Sequence, residues 1–224
     1  MIELQDVTLI CVSSVNLPQT YYAFQKSVEK INFGAVKLVT HEKPTDLPDF
    51  IEYEQCYKIE SIDDYSYYCI YNLGNHVSTS HCLVIQADGF VINHEMWDPV
   101  FLEYDYIGAP WEYNENAYVT PFGEHVRVGN GGFSLRSKRL LDVPKSHYVE
   151  FNVNQGDFYK HMNANNFAED GNICVHNRHI YEKAGCRFAP VEIAARFAHE
   201  KQLTETQGIT PFGFHYHLPP GTIL

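Results

Sequence analysis

Apolar runs alternate with a helical repeat along the first forty residues. The run "VTLICVS" at residues 7–13 predicts a buried strand, and "AVKLVT" at 35–40 predicts a second one. Between the two runs, Asn16 and Pro18 suit the start of a helix. The helical repeat consists of Leu17, Tyr21, Phe24, Val28 and Ile31. This β-α-β order predicts parallel pairing of the two strands through a right-handed crossover.

A third apolar run, residues 82–87, follows a tyrosine-rich segment at 63–77 that predicts a helix. The run is apolar on both faces, which is typical of a strand inside a covered, mostly parallel sheet. It delivers Asp88 next to Gly89. Because ligands bind at the carboxyl ends of strands in such sheets, Asp88 is either a turn-forming aspartate or the first ligand of a site.

The second half of the chain has weaker patterns. Residues 104–111 predict another strand that ends in a proline turn, and the polar stretch 112–127 predicts a mobile loop. A helix is expected from about Asp170, with Gly185 as its stop. The tail, residues 211–224, is too rich in proline and glycine to form a helix.

Composition excludes several classes of protein. Hydrophobic residues at 45% and aromatic residues at 14% are enough for a core, which excludes a disordered chain. The net charge of −12, with no basic stripe, argues against binding to a nucleic-acid backbone. Six scattered cysteines without a CxxC pair, and no apolar segment long enough for a signal peptide or membrane span, predict a cytoplasmic protein.

Four features in order could carry chemistry: Asp88, the glycine-rich stretch "GNGG" at 129–132, the pair Glu169–Asp170, and two histidines in "GFHYH". Each has an ordinary structural explanation when taken singly. These explanations are a turn, a bulge, a helix cap, and packed or surface histidines. If the last segment is extended, His215 and His217 face the same side.

Together, the four features resemble the order of motifs in GT-A fold glycosyltransferases. The stretches "LVIQADGFV", "VGNGGFSLRSKRLL" and "PFGFH" are similar to a glycosyltransferase-like domain family of bacteria and viruses that has no assigned function, over roughly residues 60 to 217. The resemblance implies a single Rossmann-like GT-A domain over 1–224, with a central, mostly parallel mixed sheet flanked by helices. Residues 1–110 would bind a nucleotide sugar, and residues 111–224 would form the acceptor and catalytic half.

The resemblance also implies a reaction and a set of site residues. A sugar would move, with inversion, from a nucleoside-diphosphate sugar to a glycan or other hydroxyl acceptor. The base would be Asp170, with Glu169 binding the acceptor or orienting the helix. The donor would contact Val12, Ser13, Ser14, Gln86, Asp88, Gly131 and Gly132. The acceptor would contact Trp111, Gly132 and Glu169.

A divalent cation, Mn²⁺ or Mg²⁺, is the implied cofactor, and its ligands would be Asp88 and His215. Gln86 stands where the family pattern has the first acid of its DxD motif, which lowers the negative charge at this position. The departing phosphates need a cation or fixed positive groups where their charge develops. If no metal binds, the alternatives are Arg136, Lys138 and Arg178.

The chemistry adds three further expectations. The acceptor hydroxyl must lose a proton, which requires a carboxylate within hydrogen-bond reach. A helix N-terminus would lower the pKa of Asp170 and weaken it as a base. Trp97 and Trp111 would either stack on sugar rings or belong to the core.

Two other functions stay open from the residues. A nucleotidyltransferase shares the layered fold and an acidic metal site, but it would want a basic, glycine-rich loop after the first strand. The stretch "SSVNLPQT" there contains neither glycine nor lysine. A catalytically inactive module that binds nucleotide sugars or carbohydrate is the second alternative.

Overall fold

The computed structural model describes residues 1–153 and 156–218. Its main sheet contains β1 (Ile2–Val12), β2 (Ile31–Thr40), β3 (Glu52–Gln55), β4 (His81–Val84), β5 (Tyr106–Ile107) and β6 (Ser134–Ser137). A two-stranded sheet contains β7 (Ala198–His199) and β8 (Gly213–Phe214). The helices are α1 (Leu17–Val28), α2 (Ile62–Tyr71), α3 (Lys138–Ser146), α4 (Glu169–Gly171), α5 (Arg178–Lys183) and α6 (Val191–Phe197).

The main sheet has the strand order β3-β2-β1-β4-β6-β5. Strands β1 to β4 pair in parallel, and β6 runs antiparallel between β4 and β5. The parallel pairing of β1 with β2 across α1 confirms the predicted β-α-β unit. The expected fold class is also confirmed: a mixed α/β, Rossmann-like arrangement with a mostly parallel central sheet flanked by helices.

Helices cover both faces of the sheet because the side chains of β1 alternate between two cores. Leu9 and Cys11 face one core, which contains residues of α1 and α6. Ile10 and Val12 face the other, which contains residues of α2 and α3. All six cysteines are free thiols, as their spacing predicted. In the described part of the chain, no helix is long and apolar enough to cross a membrane.

Several predicted boundaries differ from the structure, and the largest differences at a strand start are in β1 and β2. β1 begins at Ile2 rather than at residue 7, because its first half alternates with the exposed residues Glu3 and Gln5 and has no continuous apolar run. β2 likewise begins at Ile31 rather than at 35. The structure has no helix in the described part of the tail, and residues 219–224 lie outside the described part.

The helix expected from Asp170 is broken. A π-helical turn (Asn172–His176) follows α4, and the Asn177 N–H donates to the Asn172 carbonyl at 2.8 Å. The side-chain amides of Asn172 and Asn177 both donate to the Glu150 carbonyl, at 2.9 and 2.8 Å. These buried amides hold the insertion in place, and a π-turn of this kind is frequent next to functional sites.

Candidate functional site

A cavity of about 560 Å³ opens at the carboxyl ends of β1 and β4. We call it the strand-end cavity. The predicted donor residues Val12, Ser13, Ser14, Gln86 and Asp88 all line it. The Ser14 hydroxyl accepts a hydrogen bond from the Ile59 N–H at 3.0 Å, which ties the end of β1 to the chain before α2. The structure thus brings together five residues from two distant segments.

Asp88 lies in a two-residue turn beyond β4. Gln86 and Gly89 exchange two backbone hydrogen bonds across this turn, at 2.9 and 3.1 Å. The Asp88 side chain is 53% exposed, so its carboxylate is open to solvent and to a ligand. Asp88 therefore forms a turn and projects at the edge of a cavity, and its role as the first ligand of a site stays a prediction.

Gln86 and His215 lie at the boundary between the strand-end cavity and a neighbouring cavity that Gly132 helps to line. The Gln86 side-chain amide donates to the Tyr65 hydroxyl at 3.0 Å, and its Oε1 lies 3.2 Å from His215 Nε2. The same imidazole nitrogen is 3.8 Å from Asp88 Oδ1. Gln86 is therefore held by Tyr65 on one side and contacts the imidazole on the other.

His215 is surrounded by carboxylates. Its Nδ1 lies 3.7 Å from Glu200 Oε1, which is an ion-pair distance rather than a hydrogen bond. Burial lowers the pKa of His215, but Glu200, Asp88 and Asp170 outweigh burial and leave the pKa above its usual range. The surrounding carboxylates thus favour the protonated form of the imidazole.

His217 does not share a face with His215. Tyr216 between them has φ of 66°, so the segment is not extended and the condition for a common face is not met. His217 is exposed and lines a different cavity of about 510 Å³ on the other side of the Asp88 turn. Only His215 is directed at the boundary between the cavities.

The glycines of the 129–132 loop leave space for the side chains of Glu169 and His215. A Cβ on Gly131 would stand 2.3 Å from Glu169 Oε1, and one on Gly132 would stand 2.1 Å from His215 Nε2. Neither glycine has a positive φ, so a left-handed backbone does not explain the glycines here. The loop is glycine-rich because the Glu169 and His215 side chains pack directly on its backbone.

Asp170 is bound to this loop. Its Oδ2 accepts from the Gly131 N–H at 3.0 Å, and its Oδ1 accepts from the Gly171 N–H at 2.6 Å. The helix N-cap is Ala168, so the capping explanation for Asp170 is also wrong. Gly131 lines neither the strand-end cavity nor the neighbouring cavity beside Gly132, and its N–H instead holds the Asp170 carboxylate.

The pKa of Asp170 moves in the direction opposite to the expected one. Burial, together with the neighbouring Glu169 carboxylate, raises it from 3.8 to about 7, against the effect of the two N–H donors. The helix N-terminus was expected to lower it. Desolvation dominates because α4 has only three residues and lies beneath the loop.

Glu169 is the counter-ion of a buried arginine. Arg136 has no solvent exposure, and its Nη2 lies 2.8 Å from Glu169 Oε1. The same nitrogen donates to the Gly131 carbonyl at 3.3 Å. Arg136 is therefore not available to a departing phosphate.

The other two fallback cations are also engaged elsewhere. Lys138 bonds the Asp142 carboxylate and the Gly74 carbonyl, at 2.7 and 3.0 Å. Arg178 pairs with Glu182 at 2.7 Å. None of Arg136, Lys138 and Arg178, the alternatives to a metal ion, lines the strand-end cavity.

The cavity next to the strand-end cavity has a volume of about 370 Å³, and Gln86 lines both of them. We call it the loop cavity, because Gly132 and the 112–127 loop contribute to it. Its lining includes Gln86, Trp111, Tyr118, Tyr159, Phe167, Glu169, Asp170, Glu200 and His215. The predicted acceptor residues Trp111, Gly132 and Glu169 are thus brought together here. Trp97 instead packs on Phe101 and Phe212 in the core.

Residues 49–215, more than half of the chain, match the family described as "Protein of unknown function (DUF5672)". The chain belongs to this family. The DUF5672 match includes Gln86, Asp88 and Asp170 and ends at His215, whereas Val12, Ser13 and Ser14 lie before it.

No curated protein matches the chain. One solved structure that resembles it is the apo form of the glycosyltransferase GlyE from Streptococcus pneumoniae TIGR4, at 13% sequence identity and a TM-score of 0.49. The match covers 94% of this chain and 54% of that one. The chain thus spans about half the length of that protein.

The donor set of this DUF5672 chain fits a divalent cation with two protein ligands. The 3.8 Å between Asp88 Oδ1 and His215 Nε2 allows both atoms to contact one ion at bond lengths of about 2.1 Å. Within 1–153 and 156–218 there is no group of three or more histidine, cysteine, aspartate or glutamate residues that could hold a metal. A cation here would need further oxygen ligands from a substrate or water.

Sequence reasoning missed three residues of the site: Tyr65, Tyr118 and Glu200. Tyr65 fixes the Gln86 amide, and Glu200 faces the His215 imidazole. Neither stands in a recognisable motif. Tyr118 lies in the loop that was predicted to be mobile, where its stacking partner Trp111 gave the only signal.

Proposed function

We propose that the protein is a glycosyltransferase that moves a sugar from a nucleoside-diphosphate sugar to a hydroxyl acceptor. The donor would bind in the strand-end cavity, and the acceptor would bind in the loop cavity. The observation that carries the proposal is that Gln86 lines both cavities. Two substrates in adjacent cavities would meet at this boundary, where Asp88 and His215 also lie.

Asp170 is the proposed general base. It lines the loop cavity, and the Gly131 and Gly171 N–H groups fix its two oxygens. A pKa of about 7 leaves much of the carboxylate ionised near neutral pH while making it a stronger proton acceptor than an ordinary aspartate. One base on the acceptor side supports a single displacement with inversion at the anomeric carbon.

Glu169 is assigned the orienting role rather than an acceptor contact. It is 4% exposed, and its carboxylate is committed to Arg136. The ion pair links α4 to β6 beneath the glycine loop. It therefore fixes the position of the next residue, Asp170, in the loop cavity.

The leaving group needs compensation for its negative charge. Among the described residues, no lysine, arginine or histidine lines the strand-end cavity. Asp88 and His215 would hold a Mn²⁺ or Mg²⁺ ion, which would offset the charge of the departing phosphates when bound. Without a bound ion, the neighbouring carboxylates favour the protonated form of the imidazole, whose pKa is raised.

The pocket chemistry disfavours a nucleotidyltransferase. That reaction would need fixed positive groups on a triphosphate, and the described lining of the strand-end cavity has none. A binding module without activity would have the same two cavities. Its carboxylate at the loop cavity, however, would have no need of a pKa near 7.

A screen of nucleotide sugars tests the proposal. Purified protein is incubated with each donor and with Mn²⁺ or Mg²⁺, and nucleoside-diphosphate release is measured with and without a mixture of hydroxyl acceptors. We expect release from at least one donor. Binding without release from any donor would favour the inactive module. Conversion of a nucleotide sugar and added pyrophosphate into a nucleoside triphosphate and a sugar 1-phosphate would indicate a nucleotidyltransferase.

A further inference from the structure

Tyr118 has a backbone conformation that is unfavourable for its side chain. Its φ is 56°, in the left-handed region that favours glycine and asparagine. A bulky aromatic residue at positive φ is a true outlier, and such strain is concentrated at ligand-binding positions. The surrounding contacts must therefore hold Tyr118 in place.

Those contacts fix the ring and the backbone separately. The Tyr118 ring stacks on Trp111 with centroids 4.0 Å apart and planes 9° apart. Its N–H donates to the Tyr159 hydroxyl at 2.6 Å, and its carbonyl accepts from the Val126 N–H at 2.7 Å. Trp111 lies on Gly129, where a Cβ would stand 2.1 Å from the indole ring. The result is a rigid stack of backbone, indole and phenol.

Tyr118 forms the outer member of this stack in the loop cavity. Trp111 is 4% exposed and is covered by the Tyr118 ring, whereas Tyr118 is half-buried. An aromatic ring fixed in this way suits the apolar C–H face of a pyranose. Asp170 and Glu200, in the same lining, can accept hydrogen bonds from sugar hydroxyls.

The charges of the loop cavity restrict what can bind. Three carboxylates line it (Glu169, Asp170 and Glu200), and no lysine or arginine does so among the described residues. Arg136 balances Glu169 from behind, and His215 lies between Glu200 and Asp88. Among the described residues, no lysine or arginine pairs with Asp170, so its ionised form would repel an anionic acceptor at the point of reaction.

We propose that Tyr118 is the acceptor platform of the loop cavity, and that it receives a pyranoside without negative charge, either uncharged or amine-bearing. An ammonium group would add attraction to the carboxylates and to the aromatic face. The inference rests on the proposed function, because it names the acceptor class of the same site.

Three matched probes test this proposal: the p-nitrophenyl β-glycosides of glucose, glucosamine and glucuronic acid. They share ring configuration and aglycone and differ in charge. Dissociation constants are measured by NMR titration with wild-type protein, at low and at physiological salt. We expect the glucoside and glucosaminide to bind about tenfold more tightly than the glucuronide, with a smaller difference at higher salt.

Variants test which residues produce the differences in affinity between the glycosides. Tyr118→Ala should weaken glucoside binding about tenfold, whereas Tyr118→Phe, which keeps the ring, should stay within about threefold of wild type. Glu200→Gln should reduce the discrimination against the glucuronide. The control Glu192→Gln, an exposed position on α6 outside the loop cavity, should leave it unchanged. Thermal unfolding of each variant confirms that the fold is intact.

The proposal is overturned by equal affinities for glucoside and glucuronide, by absence of binding of all three glycosides, or by unchanged binding in a folded Tyr118→Ala protein. Calorimetry with nucleoside diphosphates distinguishes failure of this inference from failure of the proposed function. The nucleotide would bind in the strand-end cavity, which Tyr118 does not line. Nucleotide binding without glycoside selectivity would overturn this inference alone. Glycoside selectivity without any nucleotide binding would contradict the proposed function and leave the Tyr118 platform standing.

Discussion

Arg136 and Glu169 form an ion pair that is shielded from solvent beneath the glycine loop, with Nη2 2.8 Å from Oε1. The arginine side chain has no exposure, and that of the glutamate has 5%. Arg136 also donates to the Gly131 carbonyl, and the Gly131 N–H donates to Asp170. A single buried cation therefore positions both the loop and the helix that present the proposed base.

Glu169→Gln should strongly destabilise the protein. The substitution leaves the buried guanidinium of Arg136 without a counter-ion, which costs about 3–5 kcal/mol of unfolding free energy. Urea unfolding measures the loss. The control is Glu182→Gln, which breaks the more exposed pair with Arg178 and should cost no more than about 1 kcal/mol. Equal losses in the two variants would show that the buried pair has no special role.

Turnover should rise with pH through about 7 and then level off. The proposed base must be ionised, and burial beside Glu169 raises the pKa of Asp170 to about 7. Initial rates at a saturating donor concentration from pH 5.5 to 8.5 measure the profile. A plateau already reached at pH 5.5 would mean that the base is an ordinary carboxylate.

Ionisation of Asp170, which should raise turnover, should lower the free energy of unfolding. Asp170 binds its proton more tightly in the folded chain than in the unfolded one, where its pKa is about 3.8. Its contribution to stability is full below that pH and is lost as the pH rises through about 7. In Asp170→Asn protein this part of the pH dependence should disappear. An unchanged pH dependence of the melting temperature would contradict the raised pKa.

His215→Ala and His217→Ala should differ in their effect on the metal dependence of donor binding. His215 Nε2 lies 3.8 Å from Asp88 Oδ1, whereas His217 lines a cavity on the other side of the turn. Calorimetry with nucleoside diphosphate, with Mn²⁺ or with chelator, measures this dependence. We expect His215→Ala to abolish it and His217→Ala to retain it. Loss of metal dependence in His217→Ala alone would reverse the assignment. An equal affinity of wild type in both conditions would favour binding without metal.

The sequence predicted the strand-end residues and the candidate base, but it did not predict which other side chains hold them in place. Asp88 was predicted because it follows an apolar run, and Asp170 was predicted from its place at a helix start and from the resemblance to GT-A fold glycosyltransferases. The role of Arg136 depends on burial, although an arginine inside the strand "FSLRS" gave a signal that was not used. Tyr118 depends on a left-handed backbone and a stacking partner, and neither has a sequence signature.

The pKa of Asp170 was mispredicted for a similar reason. Helix dipoles can be expected from a helix boundary, but desolvation depends on how the 129–132 loop covers the carboxylate. That cover exists because Gly131 has no side chain. Likewise, the left-handed conformation of Tyr216, which separates the two histidines, contradicts the extended chain that "GFHYH" suggested.

Ligand binding should increase the protection of the 112–127 loop. The loop contains a hairpin contact between Thr120 and Glu124 and the Tyr118–Tyr159 hydrogen bond at the cavity. Closing it over bound donor would exclude water from the reacting atoms. Hydrogen exchange with and without nucleotide sugar measures this, and the peptide 41–50 outside both cavities serves as the internal control. Equal protection of the loop in both states would rule out a gating role.

The most direct test of sugar transfer by Asp170 is proton NMR of a consumed nucleotide sugar, recorded from the first turnovers. Wild-type protein and Asp170→Asn are compared under the same conditions, and nucleotide binding by the variant is checked by calorimetry. The account predicts an inverted anomeric configuration in the first product. It also predicts that turnover falls by roughly 10²–10⁴-fold in Asp170→Asn while nucleotide binding persists. A retained configuration, or near-normal turnover by the folded variant, would contradict it.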